Sequence, residues 1–168
     1  MKQSMEQDAP IGVFDSGLGG LTVMREIMRQ LPEEHLLYFG DTARVPYGSK
    51  SKRTVCRYSR QIVRFLQSRH VKAIVIACNT ASALAFDEIR DEIDIPIIGV
   101  VEPGAMMAAD TTKTNNIGVI GTESTVKSGI YDKFLHRINP DITVVSKACP
   151  LFVPLVEEGL WEDRVTED

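Results

Sequence analysis

The sequence has no apolar run approaching the length of about eighteen residues that a membrane span requires. Met1 to Pro10 is polar and lacks the apolar core of a secretory leader. Cysteine is scarce. Cys56, Cys78 and Cys149 are odd in number and far apart, which argues against a disulfide framework and suits a reducing cytoplasm. The histidines are scattered and no Cys-x-x-Cys or His-x-x-x-His pair occurs, so no metal site is expected. Nor is there an excess of positive charge: 19 Lys and Arg stand against 23 Asp and Glu, a net charge of −4. No overall basic field therefore points to nucleic acid. The remainder is an ordinary globular composition, 43% hydrophobic and 25% charged, and 168 residues suffice for one domain and part of another.

The most informative stretch is Ile74 to Ala83. Ile74-Val75-Ile76-Ala77 reads as a strand buried on both faces, and a helical pattern starts at Ala81 and runs to Glu92. Between them lie Cys78, Asn79 and Thr80, a thiol, an amide and a hydroxyl at the carboxyl end of a strand, the edge where open α/β sheets bind ligands. The helix amino terminus there is expected to lower the thiol pKa and to favour a bound carboxylate. Most free cysteines are small buried hydrophobes, but the strand-exit position followed by two polar residues favours a reactive Cys78.

Strands and helices alternate along the rest of the chain. Strands are expected at Ile11–Asp15, Leu36–Gly40, Ile97–Val101, Asn116–Gly121 and Ile142–Ser146. Helices are expected at Leu21–Gln30, Ser51–His70, from Glu102 onward, and from Thr122 to about Arg137, with a short one after Cys149-Pro150. Arg53, Arg57, Arg60 and Arg64 fall on one face of the second helix and read as solvated in an acidic chain. The alternation predicts an α/β fold of doubly wound parallel sheets. Polar residues follow several strands, at Ser16, Asp41, Cys78 and Thr122, so their edges can converge on one cleft.

Individually these positions carry alternatives. Asp15-Ser16-Gly17-Leu18-Gly19-Gly20 is either a tight turn or an anion cradle. With Asp41 about 20 residues on, it partly resembles a dinucleotide loop, although Thr22 stands where the last glycine belongs and Asp15 would repel a pyrophosphate. Tyr47, in Pro46-Tyr47-Gly48, either closes a turn or holds a ligand, and Thr122 is either a helix cap or a carboxylate contact.

Taken in order, five segments resemble glutamate racemase of the aspartate/glutamate racemase superfamily. They are Asp15 to Val23, Gly40 to Gly48, Cys78 to Ala83, Ile120-Gly121-Thr122, and Pro154 to Gly159. The resemblance runs from near Pro10 to the last residues. It implies a cofactor-independent amino-acid racemase of two pseudo-symmetric α/β domains with the site between them, forming D-glutamate for peptidoglycan and homodimeric as the complete protein. On this resemblance Cys78 is one of two catalytic cysteines, and Asp15, Asp41 and Glu157 are acids that assist proton transfer. Asp15, Ser16, Tyr47, Gly48, Asn79 and Thr80 contact substrate, and Thr122 helps bind its carboxylate.

The chemistry suits these residue types. Inverting an α-carbon removes a proton from one face and returns one to the other, which calls for two bases, one entering as thiolate and one as thiol. Without a cofactor, hydroxyls and amides around the carboxylate must stabilise the carbanion. No lysine sits in a setting that suggests a pyridoxal Schiff base. The family's second motif, Gly-Cys-Thr-His, is absent, and Cys149 lies in Ala148-Cys149-Pro150, ahead of the Glu157 segment. The expected organisation is therefore a first domain over 1–100, lacking its carboxyl-terminal return, and the first half of a second over 101–168. Such a chain is expected to be inactive by itself. A non-catalytic fragment and a dinucleotide-binding module are the alternatives.

Overall fold

The computed structural model describes residues 8–167. Strands β1 (Ile11–Asp15), β2 (Leu36–Gly40), β3 (Ala73–Ile76) and β4 (Ile97–Gly99) form one sheet in the order β2-β1-β3-β4. All its pairings are parallel, with Phe14 opposite both Phe39 and Ile76. Between them run helices α1 (Leu21–Gln30), α2 (Lys52–Ser68) and α3 (Asn79–Arg90). A second, two-stranded parallel sheet pairs β5 (Asn116–Gly121) with β6 (Thr143–Ala148). With it come α4 (Val101–Thr111), α5 (Glu123–Lys127), α6 (Ile130–Ile138), α7 (Phe152–Glu157) and α8 (Arg164–Glu167). Among the described residues, no helix is long and apolar enough to cross a membrane.

The apolar stripe of α2 explains the main core. Val55, Ile62, Val63 and Leu66 recur at helical spacing, and all are buried against Phe14, Ile74 and Ile76 of the sheet and Ala81, Ala85 and Ile89 of α3. Ser51 caps α2 by accepting the Thr54 N–H at 3.2 Å. The arginine face of α2 is only partly solvated, because Arg60 bridges to Glu88 of α3 and to Glu92 just beyond its end. A smaller core joins Ala105 of α4, Leu135 of α6 and Ile142. It covers one face of the second sheet, while Ile120 and Val145 stand exposed on the other.

Several expectations shift in detail. The helix expected over 122–137 is broken in two, because Gly129 adopts a left-handed φ of 61° that a continuous helix cannot contain. The helix after Cys78 begins at Asn79 rather than Ala81, so Cys78 itself becomes its N-cap. The fourth strand ends at Gly99, and Val101 already belongs to α4. In β3, Ile74 and Ile76 are fully buried while Ala73 and Val75 are only half-buried, so one face is packed more completely than the other.

Candidate active site

Parallel strands point their carboxyl ends to one edge, and here that edge carries the polar residues. β1 ends on Asp15, β2 is followed by Asp41, β3 by Ala77-Cys78, and β5 of the second sheet by Thr122. A cleft of about 300 Å³ opens between these ends. Its walls include Asp15, Ser16, Tyr47, Gly48, Cys78, Asn79, Thr80, Thr122 and Glu157, so every expected site residue except Asp41 lines it. A larger hollow of about 550 Å³ lies at the opposite edge, lined by His70, Lys72 and Asp94 among others, away from the cysteine.

Cys78 is 4% exposed but has the cleft beside it. Its Sγ accepts the Ala81 N–H at 3.4 Å and donates to Ser16 Oγ at 3.4 Å, while Ser16 Oγ in turn reaches Asp15 Oδ1 at 3.5 Å. The expectation of an acidified thiol is overturned. Burial, and after it the Asp15 charge, push the thiol up to about 11 against the lowering hydrogen bonds from Ser16 and Ala81. The helix terminus alone is too weak to offset both.

The glycine loop is fully explained by Asp15. Its Oδ2 accepts the N–H groups of Gly17 at 3.2 Å and Gly20 at 2.9 Å. Two of the loop donors that a dinucleotide phosphate would use are thus taken by a carboxylate, which weighs against the dinucleotide alternative. Tyr38, a residue the sequence did not single out, ties the loop down from behind by donating to the Gly17 carbonyl at 2.9 Å. Its pKa is raised, first by burial and then by the charges of Asp15, Cys78 and Glu157. Glu157, at the end of α7, faces the same loop from the second half of the chain, the part built around the β5-β6 sheet, and is exposed.

Asp41 departs from its expected place. It is buried behind Tyr47, accepting the Tyr47 hydroxyl and the Arg44 guanidinium at 2.8 Å, and it does not line the cleft. Burial, followed by the bond to Asp41, raises the Tyr47 pKa, so the phenol stays protonated. Arg44 is held further by Gln61 at 2.6 Å and by stacking over Tyr58 at 4.2 Å.

The wall where the two halves meet is built from hydroxyls of both. Thr80, Thr122 and Thr125 form a triangle with Oγ1 separations of 3.0, 3.0 and 3.4 Å. Thr122 also caps α5, accepting the Thr125 N–H at 3.3 Å, so cap and cleft residue are the same side chain. Ser124 binds the Gly48 carbonyl through Oγ at 2.7 Å, which occupies that acceptor. Tyr131 Oη donates to Asn79 Oδ1 at 2.6 Å. Thr125, Ser124 and Tyr131 had no separate signal in the sequence, since each meets its partner across more than forty residues of chain. Among the described residues no group of three or more His, Cys, Asp and Glu is placed to hold a metal ion.

A family model described as Asp/Glu/hydantoin racemase matches residues 11–159. A glutamate racemase of Geobacter metallireducens is 58% identical over 154 residues, covering 92% of this chain and 57% of the relative. The crystal structure of glutamate racemase isoform RacE1 from Bacillus anthracis superposes with a TM-score of 0.91 at 44% identity, covering 94% of this chain and 59% of that one. A Francisella tularensis glutamate racemase solved in complex with D-glutamate matches with a TM-score of 0.88 at 44% identity, covering 95% and 60%. The chain thus spans less than two thirds of the length of these relatives.

Proposed function

Because the chain belongs to the Asp/Glu/hydantoin racemase family, we propose that it forms one catalytic half of a glutamate racemase. The observation that carries this reading is Cys78 placed at the cleft, linked through Ser16 to Asp15 and facing the hydroxyls of Thr80 and Thr122. Such a set can hold an amino acid by its carboxylate and present sulfur to its α-carbon.

The reaction needs no cofactor. Cys78 as thiolate takes the α-proton: the C–H bond breaks, an S–H bond forms, and the electron pair delocalises into the substrate carboxylate. A second acid on the opposite face returns a proton to carbon. In the reverse direction Cys78 enters as the thiol, the form its raised pKa favours in the ligand-free cleft. A substrate ammonium bound near Asp15 neutralises the charge that helps hold the thiol up, so binding itself favours the thiolate. Thr80 and Thr122 contact the carboxylate, with Asn79 beside them, and Tyr47 and Gly48 close the wall. Glu157, on the cleft wall, assists proton transfer in this reading. Asp41 supports the wall by holding Tyr47.

The second acid matches the Gly-Cys-Thr-His motif of the family, which this sequence does not contain. The 168-residue chain is accordingly expected not to racemise glutamate by itself, while the complete, homodimeric, cytoplasmic protein supplies D-glutamate for peptidoglycan. The test is L-to-D turnover of glutamate followed by optical rotation. The complete protein should turn over and lose activity with Cys78→Ala, and the 168-residue chain should show none. Unchanged turnover in Cys78→Ala would remove this residue from the mechanism.

A further inference from the structure

Asn79 is the first residue of α3, exposed, and on the cleft wall beside Cys78. Its carboxamide has two chemically opposite ends, an oxygen that accepts and an NH₂ that donates twice. Whichever end faces the cleft decides whether this corner attracts a carboxylate or repels it. Nothing on α3 makes that choice. The partner that does comes from the other half of the molecule: Tyr131, the second residue of α6, whose Oη donates to Asn79 Oδ1 at 2.6 Å.

The phenol is well fixed. Its ring packs on the core of Ala105, Leu135 and Ile142. Gly104 of α4 leaves the space beside the hydroxyl open, since even an added Cβ there would stand 3.6 Å from Oη. The turn at Gly129 ends α5 and starts α6, which sets Tyr131 facing the first half. Burial raises the Tyr131 pKa, so its hydroxyl keeps the proton it donates.

We propose that Tyr131 is a positioning residue that makes the cleft selective for carboxylates: by occupying Asn79 Oδ1 it turns the Asn79 NH₂, with its two donors, into the cleft. The identity of the ligand as an amino-acid carboxylate rests on the racemase reading. The preference for negative charge at this corner is argued from the hydrogen bond, which must outweigh the carboxylates of Asp15 and Glu157 on the same cleft. The bond also joins the two halves directly at the cleft, so the preference exists only while they are docked.

Cys78 reports on this corner without any turnover. Iodoacetate and iodoacetamide both alkylate a thiolate with loss of iodide, and they differ in carrying a carboxylate or a neutral amide. Their rates at Cys78 are measured at one pH by peptide mass mapping, which separates Cys78 from Cys56 and Cys149, and the rate ratio is normalised to that of free cysteine. Loss of one charge-assisted contact should lower the iodoacetate preference about five- to tenfold in Tyr131→Phe. Asn79→Ala should lower it equally, and the double variant no further, because Tyr131 acts through Asn79. A structural effect of Tyr131 alone would instead change both rates together and add to that of Asn79→Ala. Asn79→Asp keeps the Tyr131 bond through one oxygen and turns the other into the cleft, so it should lower the ratio at least as far even if Tyr131→Phe folds poorly. An unchanged ratio in Tyr131→Phe, an additive double variant, or no iodoacetate preference in the unmodified chain would each overturn the proposal. If the ratios behave as expected but the complete protein fails to turn over glutamate, the racemase reading falls and the role of Tyr131 stands.

Discussion

Gly48→Ala is the sharpest probe of how the two halves are held together. Gly48 follows Tyr47 in the loop between β2 and α2, and a Cβ placed on it would lie 2.5 Å from both Cβ and Cγ2 of Thr122. No real side chain tolerates that separation, and Thr122 cannot swing aside cheaply. Its hydroxyl caps α5 and touches Thr80 and Thr125. The φ of Gly48 lies outside the left-handed region, so the penalty is steric and not conformational. Overpacking of a tight contact costs about 1–3 kcal/mol, and displacing the Thr122 cap adds about 1 kcal/mol. A total of about 3 kcal/mol, at roughly 3 °C per kcal/mol for a chain of this size, lowers Tm by about 9 °C. Gly118→Ala is the matched control. It lies in β5 with no atom within 4 Å of the added Cβ, and it should leave Tm unchanged or raise it by about 1.5–3 °C, from the roughly 0.5–1 kcal/mol that Ala gains over Gly in a strand. Differential scanning calorimetry of both variants decides the matter. A Gly48→Ala protein that melts within 2–3 °C of the parent, a bound set by the same conversion, would show that the halves are not clamped at this point.

Two further outcomes follow from the site. In the ligand-free chain, iodoacetamide should alkylate Cys78 about tenfold faster per pH unit from 7 to 10 without a plateau, since only the thiolate reacts and the thiol is held up to about 11. Asp15→Asn should move this profile to lower pH by removing the second cause of that shift, and a plateau near pH 8 in the parent would contradict the burial argument. Asp41→Asn should cost about 1.5–3 kcal/mol in denaturant unfolding through its bonds to Arg44 and Tyr47, toward the lower end because Arg44 keeps 29% exposure. If turnover of the complete protein fell sharply while stability did not, Asp41 would be acting on the reaction and not on the wall.

The strands and most helices were legible because they rest on local information. The Ile74-Val75-Ile76 run and the α2 stripe of Val55, Ile62, Val63 and Leu66 are visible directly in the sequence, and all of these but the half-buried Val75 are buried. The strand-end polar residues were legible for the same reason, since a parallel sheet sends them all to one edge. What local pattern could not supply was the result of competing long-range terms. Asp41 closes β2 in the same manner as Asp15 closes β1, yet Arg44 and Tyr47 draw it behind the wall while the Gly17 and Gly20 amides hold Asp15 at the cleft. The thiol pKa failed likewise: the helix terminus is visible in sequence, but burial and the Asp15 charge are visible only once β1 and β3 are paired.

The hydroxyl contacts across the cleft extend this reasoning to function. Thr80, Gly48 and Asn79 belong to the first half and Thr122, Ser124, Thr125 and Tyr131 to the second, and each pair closes through a hydrogen bond or a van der Waals approach. Each of these bonds contributes only about 0.5–1.5 kcal/mol, and apolar residues of both halves flank them, Pro46 beside Val153 and Pro154 and Phe86 beside Phe134. Of the residues that join the halves, Gly48, Asn79, Thr80 and Thr122 also line the cleft, so docking of the halves and assembly of that wall are one event.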